Sequence, residues 1–307
     1  MSTLGFDTSN YTASVAWTDG KTDKSARQLL PVKEGERGIR QSDGVFHHVK
    51  LLPELYEQLD ADMTSITAIG VSTRPRNIKG SYMPVFLAGH GYARVAAKTM
   101  GVPLYEFSHQ DGHIMAGIYS CGAFKLLQKP FLSVHLSGGT TEILRSEYKD
   151  INFVNEILGG TRDISAGQLI DRVGVRMGMR FPAGRELEQL ALTADKAEKL
   201  PVSVDGTMVS FSGVETKTIQ LENKTEKSSL ALGVLYCVRD TLTKAINHAI
   251  EKTGIHDVLV VGGVASNGII RKGFTEKLNA DVYFAKPEYS TDNAVGIAYL
   301  AHLAHNS

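Results

Sequence analysis

Cysteine is scarce in this chain of 307 residues, with only Cys121 and Cys237 present. Two scattered thiols build no disulfide framework and fit a reducing cytosol. Cys237 lies among Leu235, Tyr236 and Val238 in a helical pattern and reads as a small buried thiol. Net charge is also missing, because Lys+Arg and Asp+Glu both number 33. No global field draws nucleic acid, so any RNA contact must come from a local patch or a partner protein. No apolar run approaches the roughly 18 residues of a membrane span. The N-terminus has no basic leader and carries Asp7 inside its first apolar run, which does not fit a signal peptide. A soluble, cytoplasmic protein is expected. Neither glycine-rich turn continues into Gly-Lys-Ser/Thr, which excludes a Walker loop. Hydrophobic residues, by contrast, make up 42% of the chain, so it is globular rather than disordered, and its length is enough for two packed lobes and a sizeable core.

The pattern of apolar residues divides the chain into two similar halves. Leu4–Asp7 reads as a short strand, Thr8-Ser9-Asn10 as a turn and Tyr11–Trp17 as a β-rich return, together a hairpin with a polar tip. A helix is expected over Val45–Leu59, with Pro53 arguing against one unbroken element. A strand at Ile66–Val71, a helix at Met83–Met100 and a strand at Val102–Phe107 follow. The pattern then restarts: Phe131–Leu136 and Thr141–Leu144 form a second hairpin around Ser137-Gly138-Gly139-Thr140. Helices are expected near 163–178, 183–193 and 228–252, a buried strand at Asp257–Val261, a helix from Ser266, a strand at Val282–Ala285 and a last helix at Asp292–His305. Hairpins opening each half, followed by strand–helix alternation, imply a duplicated bilobal α/β protein with its ligand between the lobes.

Phe107-Ser108-His109-Gln110-Asp111-Gly112-His113 joins a strand to a helix. Histidines four apart share a helical face, so their rings can converge on a metal ion, or can simply cap the helix. Ser137-Gly138-Gly139 and Gly262-Gly263 through Asn267 each follow a buried strand, where exposed backbone N–H groups can cradle phosphate. Asp171 and Glu188 fit either surface salt bridges, with Arg172 or Arg176 as partner for Asp171, or acceptors for ribose hydroxyls.

Six motifs occur in order: His109-x-x-x-His113, Ser137-Gly138-Gly139-Thr140-Thr141, Ala166-Gly167-x-x-x-Asp171, Ser210-Phe211-Ser212-Gly213, Gly262-Gly263-Val264-Ala265-Ser266-Asn267 and Thr291-Asp292-Asn293-Ala294. The series resembles the TsaD-type tRNA adenosine threonylcarbamoyltransferases, once called O-sialoglycoprotein endopeptidases, from Leu4 to about Ala301. The resemblance implies an actin-like, sugar-kinase-like fold with lobes at 1–125 and 126–307, the last helix packing back towards the first lobe. It implies one divalent ion, iron or zinc, on His109, His113 and Asp292. It places an adenine nucleotide, ATP or threonylcarbamoyl-AMP, against His135, Leu136, Ser137, Gly138 and Gly139. Asp171, Gly184 and Glu188 would lie near the ribose and Asn267 near the adenine. The implied acceptor is an adenosine beside the tRNA anticodon, with an actin-like partner subunit possible.

Several positions depart from the family pattern. Its first turn usually reads Glu-Thr-Ser-Cys-Asp-Glu-Thr, whereas here Asp7-Thr8-Ser9-Asn10-Tyr11-Thr12 is one residue shorter and lacks both turn acids. Asp7 is then the remaining candidate catalytic acid. Arg74-Pro75-Arg76 replaces a Gly-Pro-Gly turn, Phe181-Pro182-Ala183-Gly184 replaces Tyr-Pro-Gly-Gly, and Glu215 stands where a lysine is expected. The pattern suggests a divergent paralogue, either a transferase or a non-catalytic nucleotide-binding subunit. A metalloprotease of the His-Glu-x-x-His kind is disfavoured, because Gln110 occupies the general-base position and cannot take a proton.

Overall fold

A computed structural model describes residues 1–9, 11–31 and 39–307. Asn10, part of the altered first turn, lies outside the described residues. The chain forms two compact units, one from Met1–Phe124, Tyr148–Val154 and Thr291–Ser307, the other from Lys125–Glu147 and Asn155–Ser290.

The first unit is built on a five-stranded sheet. Its strands are β1 (Ser2–Ser9), β2 (Thr12–Thr18), β3 (Asp23–Leu29), β4 (Ile66–Arg74) and β5 (Leu104–Ser108), in the order β3-β2-β1-β4-β5. Central strand β1 is buried along its whole length. The period-2 alternation of a strand sends its residues to two different layers. Leu4 and Phe6 join a core with Leu52 and Leu55 of α1 (Gln41–Glu57) and Ala93 of α2 (Phe86–Met100). Thr3 and Gly5 face α9 (Val295–Asn306): Thr3 Oγ1 donates to the Ala298 carbonyl at 2.7 Å, and a Cβ on Gly5 would meet the Ala298 nitrogen at 2.6 Å. Glycine at position 5 is therefore what lets this helix lie on the sheet.

The helix α1 runs unbroken through Pro53. Proline leaves the carbonyl four residues earlier without its helical donor. The Tyr92 hydroxyl of α2 supplies one instead, donating to the Val49 carbonyl at 3.0 Å. The expected break is thus repaired from a neighbouring helix. Strand β3 was not expected from the sequence; its Asp23–Leu29 residues are largely exposed at the sheet edge and carry no apolar alternation.

The second unit carries a seven-stranded sheet. Its strands are β6 (Phe131–Leu136), β7 (Thr141–Lys149), β8 (Asn152–Thr161), β9 (Val204–Asp205), β10 (Met208–Val209), β11 (Asp257–Val261) and β12 (Asp281–Phe284), in the order β12-β11-β6-β7-β8-β10-β9. The segment β8-β7-β6-β11-β12 repeats the order of the first sheet, with an antiparallel hairpin followed by two parallel additions. Five helices accompany it: α4 (Ala166–Arg176), α5 (Gly184–Ala191), α6 (Ser212–Leu221), α7 (Lys227–Thr253) and α8 (Gly268–Lys277). The apolar stripe of α7, including Leu235, Val238, Leu242 and Ile246, is buried with Val134, Leu169 and Val260. Among the described residues, no helix is long and apolar enough to cross a membrane.

Candidate metal centre and nucleotide loops

The remaining helix of the first unit, α3 (His109–Cys121), starts at the first histidine. Ser108 caps it reciprocally with Asp111, so the helix start is fixed by side chains other than the two histidines. The helices α3 and α9 cross closely, because Gly112 and Gly296 leave no room for a Cβ between them. That crossing brings His113 beside the residues that precede α9. His113 Nε2 lies 3.2 Å from Asp292 Oδ1, and His109 Nε2 lies 3.5 Å from the same oxygen. The two rings stand 4.4 Å apart at 75°. One ligand atom from each of His109, His113 and Asp292 falls within 4.8 Å of the other two. A cation bound at about 2.0–2.2 Å separates its ligands by roughly 3.0–3.6 Å, and both imidazole-to-Asp292 pairs lie in that range, which places the three residues to close around one ion. Two imidazoles and one carboxylate suit iron or zinc and leave coordination positions for a substrate.

Charge is concentrated here. Burial pulls the His109 pKa down, but the Asp7 charge, hydrogen bonds to Asp292 and Asp7, and the Asp292 charge outweigh it and push it up to about 10. Burial would raise Asp292, yet hydrogen bonds from His109 and His113 and their charge hold it well below the usual carboxylate range.

Sequence reasoning missed the side chains that hold this centre in place. Thr12 Oγ1 donates to Asp292 Oδ2 at 3.2 Å, Ser14 Oγ accepts from the Ala294 amide at 2.9 Å, and Arg27 Nη1 donates to Thr291 Oγ1 at 2.8 Å. Hydroxyls at 12 and 14 follow the strand period toward one face, the only signal that pointed to them. Asp7 is wholly buried and faces His109 and Ser72, with its Oδ1 3.0 Å from His109 Nδ1. Arg74 is held by Asn77 at 2.7 and 3.0 Å.

Of the sequence-selected residues of the second unit, His135 to Gly139 end β6 and form the β6–β7 turn, beside the N-terminus of α4. Ser137 organises the turn: its amide donates to the Thr140 carbonyl at 2.8 Å, and its Oγ accepts from the Gly139 and Thr140 amides at 3.3 and 3.0 Å. A Cβ on Gly138 or Gly139 would meet nothing within 4 Å. Internal packing therefore does not require glycine there, as a surface kept clear for a ligand would explain. Gly167, in contrast, is pressed against the Ser137 carbonyl and Gly138, and Ser165 Oγ donates to the Gly138 carbonyl at 2.8 Å. The partial positive charge at the start of α4 is thus aimed at the turn. His135 is half-buried on β6, opposite Val261 and Glu142. Leu136 is wholly buried, so only its backbone borders the turn, where its carbonyl abuts Gly262.

Asp171, Gly184, Glu188 and Asn267 form a second chain of contacts. Asp171 Oδ1 accepts from the Ala183 amide at 2.8 Å; burial raises its pKa against hydrogen bonds from Ala183 and Gly184. Glu188, one turn beyond Gly184, accepts from the Gly268 amide at 2.6 Å. Asn267 caps α8 through the Ile270 amide at 3.1 Å. The salt bridge imagined for Asp171 is not made. Arg172 pairs with Glu215 at 3.1 Å and Arg176 with Glu222 at 2.8 Å, because those acids lie on the neighbouring α6 side while Asp171 points to the α4–α5 connection.

Residues 45–299 match the family model described as tRNA N6-adenosine threonylcarbamoyltransferase. A relative of that name from Thermus thermophilus is 32% identical over 314 residues, covering 99% of this chain and 93% of the relative. Among solved structures, HypF from T. kodakarensis matches with a TM-score of 0.65 at 14% identity, over 99% of this chain and 48% of that one. The activator of the 2-hydroxyisocaproyl-CoA dehydratase from Clostridium difficile, solved with bound ADPNP, matches with a TM-score of 0.58 at 15% identity, over 100% and 96%. These likenesses concern the fold, which is of the actin-like, sugar-kinase-like kind. By the family match and the full-length relative together, the chain belongs to the tRNA N6-adenosine threonylcarbamoyltransferase family.

Proposed function

We propose that the chain transfers a threonylcarbamoyl group from an adenylate donor to the N6 amine of a tRNA adenosine beside the anticodon. The observation that carries this reading is the convergence of His109, His113 and Asp292, which fits one divalent ion, iron or zinc. His109, His113 and Asp292 would hold such an ion, which would supply electrostatic stabilisation for negative charge developing on the reacting carbonyl or phosphate. The adenylate is assigned to the second unit. Gly138 and Gly139 keep the turn open to phosphate, His135 flanks it, and the start of α4 favours negative charge. Asp171, Gly184 and Glu188 are assigned to the ribose and Asn267 to the adenine. A protein of the same fold, the dehydratase activator, was solved with ADPNP, which accords with a nucleotide site.

In the transfer, a bond forms between the adenosine N6 and the carbamoyl carbon. The bond from that carbon to the phosphate oxygen breaks, AMP leaves, and N6 loses a proton. Positioning and electrostatics supply the rate, so no nucleophilic side chain is needed. With a net charge of zero, tRNA is expected to dock through a local patch or an actin-like partner subunit. The test supplies purified protein with threonylcarbamoyl-AMP and tRNA, with and without metal, and measures modified adenosine by mass spectrometry. Absence of both stoichiometric metal and adenylate affinity overturns the reading.

One observation favours a second reading, a non-catalytic nucleotide-binding subunit. Tyr11 stands exposed where the family pattern has an acid, and Asp7 is buried away from solvent. Robust turnover by the native chain excludes it.

A further inference from the structure

We infer that Asp7 is a positioning residue, the outer carboxylate that fixes the ring of His109 for metal binding; this rests on the metal reading of His109, His113 and Asp292. The two nitrogens of His109 point opposite ways: Nδ1 lies 3.0 Å from Asp7 Oδ1, and Nε2 lies 3.5 Å from Asp292 Oδ1. A carboxylate on Nδ1 keeps the proton there and leaves the Nε2 lone pair for the ion. Asp7 has no exposed surface, so it cannot touch a substrate and acts only through the imidazole.

Packing alone does not account for a charged group at this position. Asp7 Oδ1 takes both His109 and the Ser72 hydroxyl, while Oδ2 is buried without a hydrogen-bond partner among the described residues. A buried carboxylate with one oxygen unpaired is costly to hold, and a neutral side chain would fill the space at less cost. The charge is useful where it strengthens the basicity of a metal-bound imidazole.

The surrounding hairpin extends the same role. Asp7 sits opposite Ser14 in the β1–β2 ladder. Ser14 anchors the Ala294 amide two residues beyond Asp292, and Thr12 on the same strand donates to Asp292 Oδ2. One rung of the ladder thus steadies two ligands that are far apart in sequence. The first hairpin, read from sequence as a hairpin with a polar tip, thus forms the outer layer of the metal centre.

Two measurements test this. In zinc-loaded wild-type protein, nitrogen-15 spectra of labelled histidine should show His109, assigned by loss of its signals in His109→Gln, with the proton on Nδ1. A proton on Nε2 overturns the inference, whatever any variant does. Cobalt and zinc affinity is then measured by chelator competition in wild type, Asp7→Asn and His113→Ala. Asp7→Asn should bind roughly 10–100-fold more weakly, with shifted cobalt absorption bands, while His113→Ala loses far more. Wild-type-like affinity and bands in Asp7→Asn overturn the role of Asp7 alone. Failure of the wild type to bind metal, or unchanged binding in His113→Ala, overturns the metal reading itself.

Discussion

The two units share a strand order but equip it differently. In the first, α3 and the segment before α9 present side chains, two imidazoles and a carboxylate, which Asp7, Thr12 and Ser14 of the hairpin steady. In the second, the equivalent hairpin ends in Gly138 and Gly139, and what it offers is backbone with open space above it. One scaffold thus yields a side-chain site and a main-chain site. The difference suits two kinds of ligand, since a cation needs lone pairs at fixed points, whereas phosphate is met by N–H groups and a helix start.

The largest effect that could break this contrast is expected in the first unit. Asp292→Ala removes the oxygen shared by both imidazoles. Stoichiometric zinc or iron should fall to background by elemental analysis, and transfer should drop by more than the roughly 100-fold that outer-layer changes cost. Retention of metal at wild-type affinity would show that the three side chains are merely a hydrogen-bonded cluster.

Next comes a pair of substitutions in the second unit. Gly139→Val projects into open space, so its stability should change little, by about 0.5 kcal/mol or less. Its adenylate affinity, measured by calorimetry, should fall at least tenfold if that space belongs to the ligand. Gly167→Ala collides with the Ser137 carbonyl and should destabilise by about 1–3 kcal/mol. A Gly139→Val protein with normal nucleotide affinity would remove the main-chain site from the comparison.

These cases show how far the sequence could be read. Periodicity gave the duplicated hairpins, the long α7 and the helix carrying His109 and His113, because burial on one face leaves a repeating trace. It did not give β3, whose exposed charged residues leave no such trace, or the continuity of α1, which depends on Tyr92 from another helix. The approach of Asp292 to the histidines, implied by resemblance alone, depends on the close crossing at Gly112 and Gly296, 184 positions apart (296 − 112). The partners of Asp171, Arg172 and Arg176 were unreadable for a similar reason, since a charged residue shows no preference among acids until the helices are packed.

A pH series separates the units by a smaller effect. The His109 pKa, raised from its ordinary 6.5 to about 10 in the metal-free fold, favours the protonated folded state. Its contribution is fully present below pH 6.5 and is lost as pH rises through about 10. Metal-free protein should therefore melt lower at pH 9.5 than at pH 6.5, by calorimetry. Metal binding requires the neutral ring and displaces that proton, so zinc affinity should rise over the same interval. A metal-free melting point that does not fall across this range would show that the imidazole is not held charged.

The smallest effect concerns Glu215, which stands where the resemblance leads one to expect lysine. Its carboxylate is 3.1 Å from Arg172, and Arg172 is about half exposed, so water screens the pair. Glu215→Lys replaces attraction with repulsion on that face, yet exposed pairs are worth only about 0–1 kcal/mol. The melting point should fall by no more than about 4 °C. The informative measurement is adenylate affinity. If Glu215 opposes the phosphate through space, the lysine variant should bind more tightly at low salt, with the gain shrinking as salt is added. If affinity is unchanged at every salt concentration, Glu215 serves only Arg172, and the main-chain site binds its anion through backbone groups and the start of α4 without help from that position.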